Sequence, residues 1–355
     1  FKAGDAIGIG SPRASNESNF ALRELVGEDR FFSGLSDSDH EAIQLTLSLA
    51  QDSAFRSPSV KEIELADAVI VIGEDVTNTS PRIALALRQS VRNHAIDLAK
   101  QSQIPAWQDA AVRELAQHER SPLAILTPYT TRLDDIASEI VIGPPSQLIE
   151  VAGAIANAIS DNAPKIVSAD DKVGQIAEYL VEAKRPLIVS GGSAGRIDFI
   201  KVAANLARAL NEKRNEVIDL CLTVPEANTL GMSMLTNEEN TLGAALDKIR
   251  RGEARKVIVL ENDLYRRAPH SEVSEALEKA DSLLVLDQLP TKTTEKATLL
   301  LPATSFSEHE ATYVNYEGRA QVSFQVHQNH GGALPSWRWL SKNPKEDISS
   351  LTERL

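Results

Sequence analysis

The chain has 355 residues, 42% hydrophobic and 25% charged, the makeup of a globular protein long enough for two domains with separate cores. Its formal charge of −13 repels nucleic-acid phosphates and anionic lipid, so neither is an expected partner. No apolar run approaches the roughly 20 residues a membrane-spanning helix needs, and the single cysteine, Cys221, excludes internal disulfides and any iron–sulfur or zinc site needing several thiolates.

In chain order, "DAIGIG" (5–10) reads as a strand. A turn and helix follow, with Ser11 expected as N-cap and Pro12 as first helical residue. "ADAVIVIG" (66–73) is a second strand, and Ile83, Leu87, Val91, Ala95 and Leu98 then form a helical stripe. "PLAILT" (122–127), "EIVIG" (139–143), "PLIVSGG" (186–192) and "VIDLCL" (217–222) read as further strands. A second stripe of Phe199, Val202, Ala203, Leu206 and Leu210 falls between the last two. "KVIVLE" (256–261), "SLLVLD" (282–287) and "ATLLLP" (297–302) complete the set. Strands apolar throughout are covered on both faces, which predicts an α/β fold of mainly parallel sheets flanked by helices.

The polar segment "ISDNAPKIVSADD" (159–171) predicts a domain boundary, giving lobes over 1–165 and 166–340 and a tail or start of a further domain over 341–355. The two halves partly repeat. "ADAVIVIGED" is answered by "ARKVIVLEND", and "TTRLDDIASEIVIGPPS" by "PTKTTEKATLLLPATS". Two related lobes would form a cleft at the carboxyl ends of their strands, where ligands bind in such folds.

Several motifs invite a chemical reading. Ser11, Pro12 and Arg13 would place a cation and free N–H groups at a helix start, a phosphate cradle in principle. The same trio recurs as Ser80, Pro81 and Arg82, so two well-capped helices explain it equally. "GGSAG" (191–195) satisfies G-x-S-x-G and would make Ser193 a hydrolase nucleophile, with Asp263 and His309 or His327 following in order. A tight strand-to-helix turn gives the same letters, and "HGG" (330–332) follows the serine instead of preceding it. "SEHEA" (307–311) lacks the second histidine of a zinc motif, and Cys221 sits in an apolar run as a small hydrophobe. "AKRPLIVSGG" resembles the middle domain of thiamine-diphosphate enzymes, whose GDG metal motif this chain lacks.

"GSPRASNESNF" resembles a segment of molybdopterin oxidoreductases, and "ELADAVIVIGEDVTNTSPRIALALRQSV" resembles another. "LLVLDQLPTKTTEKATLLLPATSFSEHEATYVNYEGRAQ" is similar to a third, long stretch of that family. The likeness runs from about residue 5 to Leu340. "GEDVTNT", "IVLENDLYRRA", "NYEGRAQVSFQV" and "SWRWL" resemble most the branch formed by the large iron–sulfur subunits of bacterial NADH:quinone oxidoreductases, respiratory complex I.

That resemblance implies Rossmann-like lobes and a cleft whose candidate residues are Ser11, Arg13, Asn16, Glu17, Glu74, Asp75, Glu261, Asn262, Asn315, Glu317 and Arg319. Catalytic family members carry a Cys or selenocysteine that binds molybdenum or tungsten shortly after the first motif. Here that region reads "VGEDRFFSGLSDSDHEAIQL", without cysteine. Glu74 and Asp75 stand where the family meets cofactor phosphates, and a carboxylate about 4 Å from a phosphate repels it by about 1 kcal/mol even in water. The expectation is a structural region without catalytic residues, cofactor or metal. Its parent would transfer electrons from NADH to quinone, with iron–sulfur clusters in N-terminal domains outside this stretch. The sequence opens at Phe1 without Met and is read as part of a longer chain. Partners would be other subunits of the peripheral arm, on the cytoplasmic side and with no membrane insertion. Lobes that still bind a nucleotide- or pterin-type ligand, or a Ser193 hydrolase, are the alternatives. Arg13, Asn16, Glu17, Asn315, Glu317 and Arg319 are expected to hold the lobes together.

Overall fold

A computed structural model describes residues 6–166, 168, 170–329, 331–343 and 347–355. Asp5, Val167, Ala169 and His330, which belong to expected features, lie outside the described residues. The strands are β1 (Ala6–Ile9), β2 (Phe31–Phe32), β3 (Phe55–Arg56), β4 (Ala68–Ile72), β5 (Leu123–Thr127), β6 (Glu139–Ile142), β7 (Pro186–Gly191) and β8 (Ile218–Thr223). After them come β9 (Lys256–Leu260), β10 (Ser282–Asp287), β11 (Leu299–Pro302), β12 (Ala311–Val314) and β13 (Ala320–Ser323). The class is α/β, as the buried apolar runs predict: β4, β5 and β9 are covered on both faces, and the two main sheets are parallel throughout.

The chain divides into a split unit, which combines the residues up to Leu47 with Glu226–Leu355, and an inserted unit, Ser48–Pro225. This corrects the boundary expected at 159–171. β4, β5 and β6 precede that segment and β7 and β8 follow it, yet all five share one sheet with β3 in the order β3-β8-β7-β4-β5-β6. β7 pairs along β4 from Ala68 opposite Pro186 to Ile72 opposite Ser190, so the polar segment is only a crossover. The first strand belongs with the last ones, in the order β11-β10-β9-β1-β2. Parallel pairing between strands far apart in sequence leaves no local mark, whereas a polar crossover does.

In the split unit, side chains alternate across the sheet. Val257 and Val259 of β9 face Leu242, Leu246 and Ile249 of one helix and Val273 of another. Ile258 and Leu260 face the opposite way, toward Phe20 and Leu22 of α1 (Asn16–Val26) and toward Trp337, Leu340 and Leu351. Of the described residues after 340, Leu351 packs in this unit's core. Arg354 pairs with Glu24, and Thr352 donates to Glu17. In the inserted unit, helix Ile197–Arg214 buries Phe199, Val202, Ala203, Leu206 and Leu210, the whole expected stripe, and packs on helix Pro145–Ile159. The first stripe is broken at Arg92 into helices Pro81–Ser90 and Asn93–Gln101, which leaves Ala95 and Leu98 half-buried.

The repeated motifs fold alike. β5–β6 and β10–β11 are parallel pairs joined by Thr-rich turns. In one, Ser138 Oγ accepts the Leu123 N–H at 3.0 Å; in the other, Thr298 Oγ1 accepts the Leu283 N–H at 3.0 Å. The strands β2 and β3 and the hairpin β12–β13 are additions to the expected set, each too short or too polar to show an apolar run.

Candidate functional site

Each sheet has a point where the order reverses, between β1 and β9 in the split unit and between β4 and β7 in the inserted one. The loops after such strands open a crevice, the usual ligand position in open parallel sheets. Most of the sequence-selected residues fall in these two crevices.

In the split unit the loop after β1 is tied from many sides. Asn19 Oδ1 accepts the Ser11 N–H at 3.0 Å, while its amide donates to the carbonyls of Ser11, Ala14 and Ser15. Asn228 donates to the Ala14 carbonyl at 2.8 Å and accepts the Val314 N–H at 3.0 Å. The expected cap therefore shifts. Ser15, not Ser11, is the N-cap of α1 and accepts the Ser18 N–H, because Asn19 holds residues 11–15 in a closed loop before the helix begins. Ser11 instead accepts the Arg13 N–H and donates its hydroxyl to the Glu261 carbonyl at 2.9 Å. At the recurring trio the positions are as expected, Ser80 as N-cap and Pro81 as first residue of helix Pro81–Ser90, but the Ser80 side chain makes no capping hydrogen bond.

Arg13 donates from Nε and Nη2 to the same Glu261 carbonyl and lies 3.7 Å from Asp287. Asn262 crosses the crevice to the carbonyls of Gly10 and Gly34 at 3.2 and 2.8 Å. Asn16 and Glu17 start α1 and reach β12, where the Glu17 carboxylate accepts the Thr312 N–H and hydroxyl.

Glu261 is 7% exposed and has a left-handed backbone, φ +41°. Ser336 donates to its Oε1 at 2.5 Å. Burial pushes this carboxyl up to about 7, with Asp287 adding to the shift and the Ser336 bond and Arg13 opposing it. Burial also raises Asp287, against the N–H groups of Leu289 and Gln288 and the charge of Arg13. Tyr313 is pushed up to about 12 by burial and by Glu261 and Glu17, and burial lowers His309. Beside these groups lies a cavity of about 540 Å³, whose lining includes Arg13, Glu226, Glu261, His309 and Tyr313.

Asn315, Glu317 and Arg319 sit at the tip of the β12–β13 hairpin, where Asn315 Oδ1 accepts the N–H groups of Glu317 and Arg319. Arg319 pairs with Glu317 at 3.2 Å but its side chain is 65% exposed. An ion pair so open to solvent adds little stability. Together with Arg13, Asn16 and Glu17 these residues all belong to the split unit. The expectation that the six act together as a buried charge cluster holding two lobes is not met at Arg319.

In the inserted unit, Glu74 is 1% exposed and fills the crevice between β4 and β7. Its carboxylate accepts the Thr79 hydroxyl at 2.5 Å and the Ser193 N–H at 3.2 Å. A Cβ on Gly191 would stand 2.6 Å from Glu74 Oε2 and 2.1 Å from the Thr223 hydroxyl, so only glycine admits this packing. Asp75 caps helix Val76–Thr79, accepting the Thr77 N–H at 3.1 Å and the Asn78 amide at 2.6 Å. Ser193 thus sits in a turn ordered by Glu74. Asp263 accepts the Thr293 hydroxyl, and His309 is bonded to Thr304.

Sequence reasoning missed Asn19, Asn228, Arg267, Ser336 and Asp287. Asn19 lies inside the quoted motif and its side chain could have been read as a loop clamp. Arg267, Ser336 and Asp287 also lie inside quoted stretches, but they bond or pair with groups on other elements, Glu226, Glu261 and Arg13, which no local pattern joins to them, and Asn228 lies outside every quoted motif.

Comparison with known proteins adds the lineage. The family model described as molybdopterin oxidoreductase matches residues 2–342. The chain is 44% identical over 347 residues to the G subunit of the NADH-quinone oxidoreductase of Pseudomonas fluorescens. It is 40% identical over 343 residues to that of Escherichia coli K12. Each alignment covers 94% of this chain, which spans 38% and 37% of the lengths of these relatives. In fold it is similar to a chain of the formyltransferase/hydrolase complex of Methylorubrum extorquens, with a TM-score of 0.61, 14% identity and coverage of 99% of this chain and 92% of that one. Acetylene hydratase of Pelobacter acetylenicus gives a TM-score of 0.59 at 12% identity, covering 95% and 55% of the two chains. The likeness of letters, the two parallel sheets and the family match agree: the chain belongs to the molybdopterin oxidoreductase family.

Proposed function

We propose that this chain is a structural, cofactor-free region of the G subunit of an NADH-quinone oxidoreductase. The observation that carries the proposal is that in both crevices the chain's own side chains occupy backbone groups that a cofactor's phosphates would need. Glu74 takes the N–H after β7 that an anionic ligand would need, while Ser11, Arg13 and Asn262 bond across the crevice between β1 and β9. The residues present do not fit a molybdenum or tungsten cofactor. Such a metal favours a soft thiolate, and Cys221 is 0% exposed within β8. Buried carboxylates at Glu74 and Glu261 oppose its phosphates.

On this reading, electron transfer from NADH to quinone belongs to the complete protein, with iron–sulfur clusters in regions outside this stretch. The chain's role is to present α/β surfaces to other subunits of the peripheral arm, on the cytoplasmic side. In support, no described helix is long and apolar enough to cross a membrane, and the described residues contain no group of three or more metal-ligating side chains.

The test is metal analysis of the purified chain by plasma mass spectrometry, with an NADH oxidation assay on the same sample. The expected result is less than about 0.1 equivalent of molybdenum, tungsten or iron and no oxidation above a buffer control, as a chain without thiolate ligands requires. Near-stoichiometric metal would overturn the proposal.

A further inference from the structure

The cavity beside the split unit's crevice leaves a carboxyl oxygen unsatisfied. Glu261 lines it and uses one oxygen for Ser336; no described residue donates to the other. Glu226 also lines it, with Oε1 bonded to Arg267 and Oε2 buried without a donor. Asp287, whose side chain is 0% exposed, has Oδ2 without a hydrogen bond, 3.7 Å from Arg13. Asp287 lies behind Arg13 and does not line the cavity, so the acceptor at the lining is the second oxygen of Glu261, and a largely buried carboxyl oxygen without a protein donor marks a demand for an N–H group.

The charges point the same way. Three carboxylates, Glu226, Glu261 and Asp287, face two guanidinium groups, Arg13 and Arg267. Arg267 is bonded to Glu226 and Asn262, and Arg13 is committed to the Glu261 carbonyl and to Asp287. Glu226 is paired with Arg267 and Asp287 with Arg13, which leaves Glu261 without an ion pair at a cavity whose lining includes Phe306, Tyr313 and Val322. Aromatic faces attract cations, and the apolar wall suits a hydrocarbon body. Glu261 also keeps a left-handed backbone, φ +41°, which a non-glycine residue adopts at a cost and which clusters at binding sites.

We propose that this cavity binds a compact organic cation, an amidinium, guanidinium or primary ammonium group on a small apolar body, with Glu261 as its charge partner. Without ligand, a proton on Glu261 balances the charge, since burial brings that carboxyl up to about 7. The cation and the proton therefore compete. The ionisable groups around Glu261 are Arg13 on the loop after β1, Asp287 at the end of β10, Tyr313 on β12 and Glu17 on α1. Ser336, on its own short helix, contributes a hydroxyl. Glu226 and His309 line the same cavity.

The experiment is calorimetric titration of the chain with benzamidine, with benzamide as the neutral isostere and benzoate and inorganic phosphate as anions. At pH 8 benzamidine should bind at least about tenfold more tightly than benzamide, the difference expected for one charged hydrogen bond, and the anions should not bind. Benzamidine affinity should fall about tenfold between pH 8 and pH 6 as Glu261 takes up its proton. Glu261→Gln should lose the preference for the cation and the pH dependence together. Equal binding of benzamide, tighter binding of benzoate or phosphate, a pH-independent affinity, or no benzamidine binding would each overturn the proposal. The pH profile of the unmodified chain decides it even if the variant does not fold.

Discussion

The turn after β4 and the turn after β9 are the same turn built with different residues. In "ADAVIVIGED" and "ARKVIVLEND" Gly73 aligns with Glu261, and both backbones are left-handed, φ +69° and +41°. Gly73 donates to the Leu126 carbonyl at 2.7 Å and Glu261 to the Leu286 carbonyl at 2.6 Å, each at the matching place on the neighbouring strand. Glycine meets this geometry without a Cβ. In the split unit a glutamate bears both the strain and a buried charge. The comparison teaches that the backbone of the repeat fixes where the chain must turn left-handed. What stands there decides whether the turn itself packs on a ring, as Gly73 does on Phe199, or carries a carboxyl beside Arg13 and Asp287, as Glu261 does.

The largest effect should come from making the inserted unit imitate the split one. A Cβ on Gly73 would lie 2.4–2.7 Å from ring atoms of Phe199, a side chain 0% exposed. Gly73→Ala should cost about 3 kcal/mol from overpacking and the left-handed backbone, and Gly73→Glu more, read as a lower midpoint of urea unfolding. A loss below about 1 kcal/mol would break the comparison, since the turns would then be interchangeable.

Next comes the reverse exchange. Glu261 titrates near 7 in the folded chain, above the 4.5 of an ordinary glutamate. Between those values the folded state holds a proton that the unfolded state has released, so stability is fully present below pH 4.5 and falls as pH rises toward 7. The loss should total about 2–3 kcal/mol. Glu261→Gln should remove this slope and make the chain more stable than the parent at pH 8, with little difference at pH 4.5. A flat curve for the parent would mean that the carboxylate is already satisfied when charged.

The smallest effect tests the strand pairs beside the turns. Ser138→Ala and Thr298→Ala each remove the hydroxyl that accepts a leucine N–H on the neighbouring strand. At partly exposed positions each should cost about 0.5–1 kcal/mol, and nearly the same amount. Denaturation midpoints that differ widely would confine the equivalence to the backbone.

The sequence was legible where physics acts locally. Each of the nine expected strands contains a strand of the fold, because runs such as "AVIVI" can be buried on both faces only inside a covered sheet. The repeat was legible because the same turn needs the same letters. The helix start at Ser11 was misread for a related reason. Ser-Pro-Arg opens a helix at residue 80, but at residue 11 Asn19 and Asn228 claim the loop's backbone groups first. The candidate residues Ser11, Arg13, Glu261 and Asn262 do meet, although nothing within the chain's local pattern joins β1 to β9.

The sequence by itself determined the class of fold, the places where strands end and the exclusion of metal sites that need several thiolates from this stretch. Each follows from hydrophobic periodicity, turn chemistry or a count. Tertiary structure alone decided that the chain leaves one sheet after β2 and returns to it at β9, since hydrogen bonding between parallel strands carries no sequence signature at that distance. It also decided the charge of the cavity. Whether a carboxylate is screened by water, paired with an arginine or left to hold a proton depends on which neighbours fold beside it.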